Sequence, residues 1–301
     1  MESKEIYDQV NKRYGSVTQS TTGKYEQTIA EAFGYRAEEL ATIPQDANLG
    51  LSCGNPLALA KLTEGETVID FGSGAGFDVF PAAKRVGPTG KAIGIDMNKN
   101  MIDRANANAA KMGSTNAQFI ESVITSVPLP DTTADCIISN CVINLVPVGE
   151  KQQAFNEMFR LLKPGGRVAI SDILARKKFT TEIENNVALY VGCVAGASQA
   201  VEYEKFLKNA SFSDVLIVDT KSDLNVYVTA LEGEASCCGP SPKVNIKSCC
   251  EPESDSSAEA CQKQATSMPT DAETLVTQLG IKDLNEWAGS FQVYAIKPLR
   301  V

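Results

Sequence analysis

Two residue patterns in this chain could do chemistry. The first lies in what its 301 residues contain and lack, nine cysteines and no histidine. Without imidazole there is no Ser-His-Asp or Cys-His relay and no histidine metal ligand. Chemistry falls to thiols, carboxylates or positioning. The count of cysteines is odd, and the amino terminus, Met1-Glu-Ser-Lys-Glu-Ile-Tyr-Asp8, has no apolar core of an export signal. In a reducing compartment such cysteines are free thiols, metal ligands or redox partners rather than a disulfide framework. The second pattern is Val68-Ile-Asp70-Phe-Gly72-Ser73-Gly74-Ala-Gly76-Phe-Asp78. An apolar run breaks here into alternating glycines, which let bare backbone approach a ligand. A helix starting at Val79 would aim its N–H groups and the positive end of its dipole into the turn. The spacing is not the dinucleotide G-x-G-x-x-G. The acid Asp70 stands beside it, a poor neighbour for a pyrophosphate and a good one for an ammonium or sulfonium group.

A tight strand-to-helix turn wants glycine for its own sake, so the triplet alone does not decide. The stretch Ala92-Ile-Gly-Ile-Asp96 adds a second strand ending in an acid. A carboxylate at that strand end can accept hydrogen bonds from ribose hydroxyls, or can be an ordinary strand-end acid. Together the two acids resemble the S-adenosyl-L-methionine site of the class I methyltransferases. That resemblance implies cofactor contacts from Asp70, Gly72, Ser73, Gly74, Gly76, Asp96, Met97 and Asn140. It also places Ser122, Val123 and Ile124, after the third strand, against the adenine. A simple turn explains those three equally well, and core packing explains Met97.

Three cysteines occupy informative places. Cys141 lies in Ser139-Asn140-Cys-Val-Ile-Asn144-Leu145, just after a strand over 134–139, and that strand end borders the ligand crevice of an open α/β sheet. Cys53 sits in the breaker-rich loop Asn48-Leu-Gly-Leu-Ser-Cys-Gly-Asn-Pro56. Cys193 sits in Tyr190-Val-Gly-Cys-Val-Ala-Gly-Ala197, late in a helix expected over 180–199. Cysteine is also a small buried hydrophobe. That is the reading for Cys136, inside a strand, and it stays open for Cys141. Asn144 either orients the Cys141 loop or caps it.

These blocks, with Glu31-Ala-Phe-Gly-Tyr35, resemble the arsenite methyltransferase family over roughly residues 5–230, and again weakly over 285–298. The resemblance implies that Cys53, Cys141 and Cys193 hold trivalent arsenic beside S-adenosylmethionine. Soft arsenic suits thiolate sulfur. Exchange of three hydroxides for three thiols releases three waters without a histidine base. The arsenic lone pair is then the nucleophile toward the methyl group. Methylation leaves arsenic formally pentavalent, so thiols must reduce it, and a reductant of thioredoxin or glutathione type must clear the resulting disulfide. Family members often carry a further cysteine upstream of the block containing Cys53, but residues 1–52 here have none. The resolving thiol must lie elsewhere in the chain or come from a small thiol.

These residues need a frame to hold them. Apolar spacing predicts helices over 4–14, 29–34 and 57–62, then strand 68–71, helix 78–86, strand 91–95, helix 99–112, strand 117–120, strand 134–139, helix 150–162 and strand 167–172. This βαβ rhythm gives a Rossmann-like class I fold, a mostly parallel sheet with helices on both faces. Helix 201–209 and strand 215–219 follow, with 224–231 extending that strand. Phe291-Gln-Val-Tyr-Ala-Ile296 is expected to return as an antiparallel partner of 215–219. The domains read as an N-terminal cap over 1–63, a core over 64–232, an insertion over 233–270 and a returning helix and strand over 271–301.

The insertion is rich in Ser, Pro, Glu and Cys and is expected to be disordered. It carries Cys237-Cys238, Cys249-Cys250 and Cys261. Adjacent cysteines, with Cα atoms ~3.8 Å apart, are poorly shaped to close on each other. They are candidates for arsenic capture or disulfide resolution, for a four-cysteine zinc site, or for a passive linker. The net charge of −9 and the lack of a basic block disfavour nucleic acid. The longest apolar run, 187–197, is too short for a bilayer. A cytoplasmic monomer that takes arsenite or its thiol conjugates is the expectation. The alternatives are a methyltransferase for another small molecule with structural cysteines, and a non-enzymatic thiol-rich protein that binds metalloids.

Overall fold

The computed structural model describes residues 2–17, 23–184, 186, 193–227 and 280–299. Its centre is a sheet of seven strands. They are β1 Thr67–Phe71, β2 Lys91–Asp96, β3 Ala117–Glu121, β4 Ala134–Asn140, β5 Leu162–Ala175, β6 Ser213–Asp219 and β7 Ala288–Ile296. The order is β3-β2-β1-β4-β5-β7-β6. Strands β1 to β5 pair in parallel, and β7 lies antiparallel between β5 and β6. The last strand thus pairs with 215–219 as expected, and with β5 as well. In an open sheet of this kind ligands bind outside the carboxyl ends of the strands, where the order reverses between β1 and β4.

Alternation along each strand sends successive side chains to opposite faces, and both faces are covered. Ile69, Phe71, Ile137, Val168 and Ile170 share one cluster with Phe155 and Met158 of α7 Lys151–Leu161 and with Tyr203 and Leu207 of α9 Ala200–Asn209. Val68, Cys136, Ile138 and Ala169 share the other with α4 Pro56–Ala60, α5 Val79–Val86 and α6 Lys99–Met112. Each fully buried Ile or Phe contributes about 1.5–3 kcal/mol by leaving water. Local signals set the helix ends. Asn55 caps α4 by accepting from the Ala58 N–H, with Pro56 in the first turn. Asn98 caps α6 by accepting from Met101, and Gly113 closes it in the left-handed region.

A third cluster sits at the end of the sheet that carries the ligand crevice. It gathers Ile6 and Val10 of α1 Ser3–Val17, Ile29 of α2 Lys24–Ala32, Ile183 of α8 Thr181–Glu184, Ile281 and Leu284, around Cys53, Cys141 and Cys193. The short α3, Ala37–Leu40, follows α2.

Four expectations need correction. Helix 180–199 is not continuous. After α8, the residues from Cys193 to Ala197 form a turn, with Cys193 at φ +64°. Glycine and alanine dominate that stretch, so no apolar stripe holds it helical. Strand β6 stops at Asp219, and Leu224 to Tyr227 turn instead of extending it. Strand β5 begins at Leu162, because Lys163-Pro-Gly-Gly166 runs on beside Lys297 instead of ending a helix. In the expected 271–288 helix, the described part from 280 holds a single short turn, Leu284–Glu286, before β7. Residues 228–279, with all five cysteines of the insertion, lie outside the described residues. Among the described residues no helix is long and apolar enough to cross a membrane.

Candidate active site

Strand β1 ends in the glycine turn. Gly72 and Gly74 have φ of +77° and +52°. A Cβ on Gly72 would lie 2.4 Å from Val142, so only glycine lets the β4 exit loop close over the turn. Gly72 and Ser73 donate their N–H groups to Ile95 O at 2.8 and 2.9 Å, which docks the turn against β2. At the end of β2, Asp96 accepts from the N–H of Gly74 at 2.9 Å and of Asn98 at 2.8 Å. Gly76 does another job. A Cβ there would strike the rings of Phe80 and Phe119 at 2.6 and 2.9 Å, so it serves packing and does not line the cleft.

The cleft beyond this turn has a cavity volume of about 140 Å³ and opens to solvent. Its charged lining among the described residues is Asp70, Asp78 and Asp96, with no lysine or arginine. Asp70 is buried, and its carboxylate has no hydrogen-bond partner among the described residues. Burial, then the charges of Asp78 and Asp96, raise its pKa well above the ordinary range. Asp78 accepts from Tyr35 Oη at 2.7 Å and Asn140 Nδ2 at 3.1 Å. Burial still pushes it up to about 6. Asp96 is raised too, mainly by desolvation. Ser73 Oγ is buried with no partner. A concave site with three carboxylates and no internal cation favours a cationic ligand. Met97, Val123, Ile124 and Asn140 also line it, as do Tyr7, Asn11 and Tyr14 of α1.

The cysteines meet at the cleft's other flank. Cys53 and Cys141 are joined as a disulfide with Cα atoms 5.8 Å apart. Cys141 also lines the cleft. The Cys53 loop is held through both backbone groups of Cys53. Its N–H donates to Asn140 Oδ1 at 3.2 Å, and its carbonyl accepts from Ser290 Oγ at 2.6 Å. A Cβ on the next residue, Gly54, would lie 2.5 Å from Ser171 Cβ, so glycine lets the loop press against β5. Tyr227 Oη donates to Ser52 O at 2.8 Å.

Cys141 follows β4 with φ +59°, and its N–H donates to Ser171 O at 2.9 Å. The Cys193 thiol donates to Cys141 O at 3.0 Å, and Tyr14 Oη lies 3.6 Å from the same sulfur. One carboxylate oxygen of Asp172 and the sulfurs of Cys53 and Cys141 all lie within 4.8 Å of one another. Asn144 Nδ2 donates to Asp172 Oδ1, Ile173 O and Cys193 O. It therefore orients the cysteine loops rather than capping one of them. Two of the buried polar atoms without partners, Asn144 Oδ1 and Ser171 Oγ, belong to residues bonded to these cysteines' backbones. Cys136 packs inside β4, its thiol pushed up to about 12 by burial. It is the buried hydrophobe expected.

Several site residues escaped the sequence reading. Asp78 ends the glycine stretch and looked like a helix start. Tyr35 stood in the Glu31–Tyr35 block without a role of its own, and Lys151 carries no local signal. Asp172, at the end of the predicted strand 167–172, could have been found by the same strand-end logic as Asp96. Asn140 joins the two flanks, because its amide touches both Asp78 and the Cys53 loop.

Similar proteins point the same way. The sequence profile of a methyltransferase domain matches residues 62–211. An arsenite methyltransferase of Halobacterium salinarum is 41% identical over 222 residues, which is 70% of this chain and 56% of that protein. Another, from Aquipseudomonas alcaligenes, is 32% identical over 225 residues, 71% of this chain and 64% of that one. The chain thus spans less than two thirds of the length of these relatives. A crystal structure of an arsenic(III) S-adenosylmethionine methyltransferase from Chlamydomonas reinhardtii superposes with a TM-score of 0.53 at 22% identity, over 90% of this chain and 73% of that chain. That likeness establishes the fold.

Proposed function

We propose that the chain is a member of the arsenite methyltransferase family of class I methyltransferases, to which it is similar over about 70% of its length, and that it methylates trivalent arsenic with S-adenosylmethionine. The acidic cleft fits that cosubstrate. Among the described residues Asp70 has no hydrogen-bond partner and Ser73 Oγ is orphaned, and a Cβ at Gly72 would strike Val142. Asp70 and Asp78 would face its ammonium end, Asp96 its ribose, and Met97, Val123 and Ile124 its base. Bound there, S-adenosylmethionine supplies a methyl group on a positively charged sulfur. The chain's own task is to hold the acceptor beside it and keep water out.

Arsenite or its thiol conjugates would load on Cys53, Cys141 and Cys193. The Cys53–Cys141 bond must first be reduced, each sulfur gaining one proton and one electron from an external thiol reductant of thioredoxin or glutathione type. Three thiols then replace three hydroxides on arsenic, with three waters leaving. Arsenic bound in this way retains its lone pair. Holding two reactants at attack distance contributes ~7–11 kcal/mol to such a reaction.

The observation that carries this reading is the convergence of three cysteines from distant segments into one cluster, with Cys141 on the wall of the anionic cleft. The test is methyl transfer from labelled S-adenosylmethionine to arsenite with a thiol reductant, wild type against Cys141→Ser. Wild type labels arsenic and Cys141→Ser does not, while both bind S-adenosylmethionine. Failure of wild type to label arsenic, with cosubstrate binding intact, would move the substrate to another small molecule.

A further inference from the structure

The described structure buries one lysine completely. Lys151 is the first residue of α7, and its side chain is wholly excluded from solvent. Two effects oppose it there. Desolvation disfavours its charge, and the positive end of the helix dipole disfavours a cation in the first turn. The first effect lowers its pKa to about 8, against the raising influence of Asp172, Glu202 and Cys193. A buried cation persists when something needs its hydrogen bonds. Its ammonium donates to Gly196 O and, at 3.2 Å, to Ser198 Oγ. The first acceptor lies in the turn that begins at Cys193, and the second follows it directly.

The thiols differ in how the fold fixes them. Cys141 leaves a central strand. Cys53 is clamped through its own backbone groups by Asn140 and Ser290. Cys193 stands in a turn with φ +64°, a conformation that L side chains seldom adopt. Besides the thiol's own bond to Cys141 O, the segment is held by Asn144 at Cys193 O, by Lys151 at Gly196 O and Ser198 Oγ, and by the Ala175 N–H, which donates to Ser198 O at 3.1 Å. Asp172 stiffens the Asn144 contact, because Tyr203 Oη and Asn144 both donate to it.

We propose that Lys151 is the positioning residue for the third thiol: by anchoring Gly196 and Ser198 it holds the Cys193 turn against Cys141, so that arsenic is met by three sulfurs rather than two. This rests on the arsenite reading above.

The test is arsenic K-edge X-ray absorption on the reduced full chain loaded with arsenite, with S-adenosylmethionine binding measured in parallel. Wild type gives arsenic with three sulfur neighbours. Lys151→Met gives two sulfurs and one oxygen, as does the control Cys193→Ser, with cosubstrate affinity unchanged. Three sulfurs in folded Lys151→Met would overturn the assignment while leaving the arsenite reading intact. Arsenic without sulfur neighbours in wild type would overturn the arsenite reading itself. If Lys151→Met does not fold, Ser198→Ala decides, because it deletes one anchor and leaves the cation in place. Arsenite binding about tenfold weaker, equivalent to ~1.4 kcal/mol, supports the role. Unchanged binding overturns it.

Discussion

The two flanks of the cleft are assembled in opposite ways. The acidic flank is local, with Asp70 and Asp96 on neighbouring parallel strands and Gly72, Gly74 and Asp78 in the turn between them. The cysteine flank is gathered from the N-terminal loop, the β4 exit and the turn before α9. It is tied by side chains as far along as Ser290. A small cation needs only charge at strand ends, which adjacent strands deliver by themselves. A soft atom bound by three thiols needs three remote segments to agree on one point. The first kind of site tolerates change elsewhere, and the second does not.

Separate damage to each flank sharpens this contrast. The largest effect is expected from Asp70→Asn. Loss of the unpartnered carboxylate should weaken S-adenosylmethionine by ~10- to 100-fold, the equivalent of one hydrogen bond to a charged group. Arsenic–sulfur coordination should stay as in wild type. Calorimetry and X-ray absorption on one sample check both. Equal loss of both functions would show that the flanks are not separable.

Acidification should do less. Asp78 titrates at about 6 in the fold, above its ordinary value of 3.8. Its charge is present above that point and lost as pH falls through it, so affinity for the cationic cosubstrate should fall between pH 7 and 5. Asp78 itself contributes to stability with the opposite sign. A raised carboxylate makes the folded form bind its proton more readily, so this group favours folding more as pH drops from 6 toward 3.8. In Asp78→Asn the affinity curve should flatten, and a curve as steep as wild type would assign the effect elsewhere.

The smallest effect is expected from Ser290→Ala, which removes the donor to Cys53 O. Stability should drop by about 1 kcal/mol, read from the thermal midpoint. Arsenite affinity should fall by a few-fold and S-adenosylmethionine affinity should not. A loss confined to the cosubstrate would reverse the assignment of Ser290 to the cysteine flank.

Legibility in the sequence follows the same division. Strands β1 to β4 and helices α5 and α6 match their predicted spans within a residue or so, since each carries its own local apolar pattern. Asp70 and Asp96 were visible because strand ends have a fixed relation to the crevice. The returning β7 was visible through its alternation, although a long segment separates it from β6. The Cys193 turn was misread as helix, because its conformation depends on Asn144, Lys151 and Ala175, none of which is near it in the chain. Lys151 looked like an ordinary polar residue at a helix start. Only tertiary contacts make it a buried cation. Gly76 was grouped with its two neighbours by spacing, but the rings of Phe80 and Phe119 decide what it does.

The placing of β7 between β5 and β6 also sets a clock on synthesis. Both flanking strands are made by Asp219, yet their shared partner begins only at Ala288. At ~5–20 residues per second, the ribosome needs about 3–14 s to bridge that gap. Throughout it two sheet edges stand open to other chains, and Ser290 has not arrived to clamp the Cys53 loop. The thiols of the nascent chain are therefore made well before the strand that fixes the Cys53 loop.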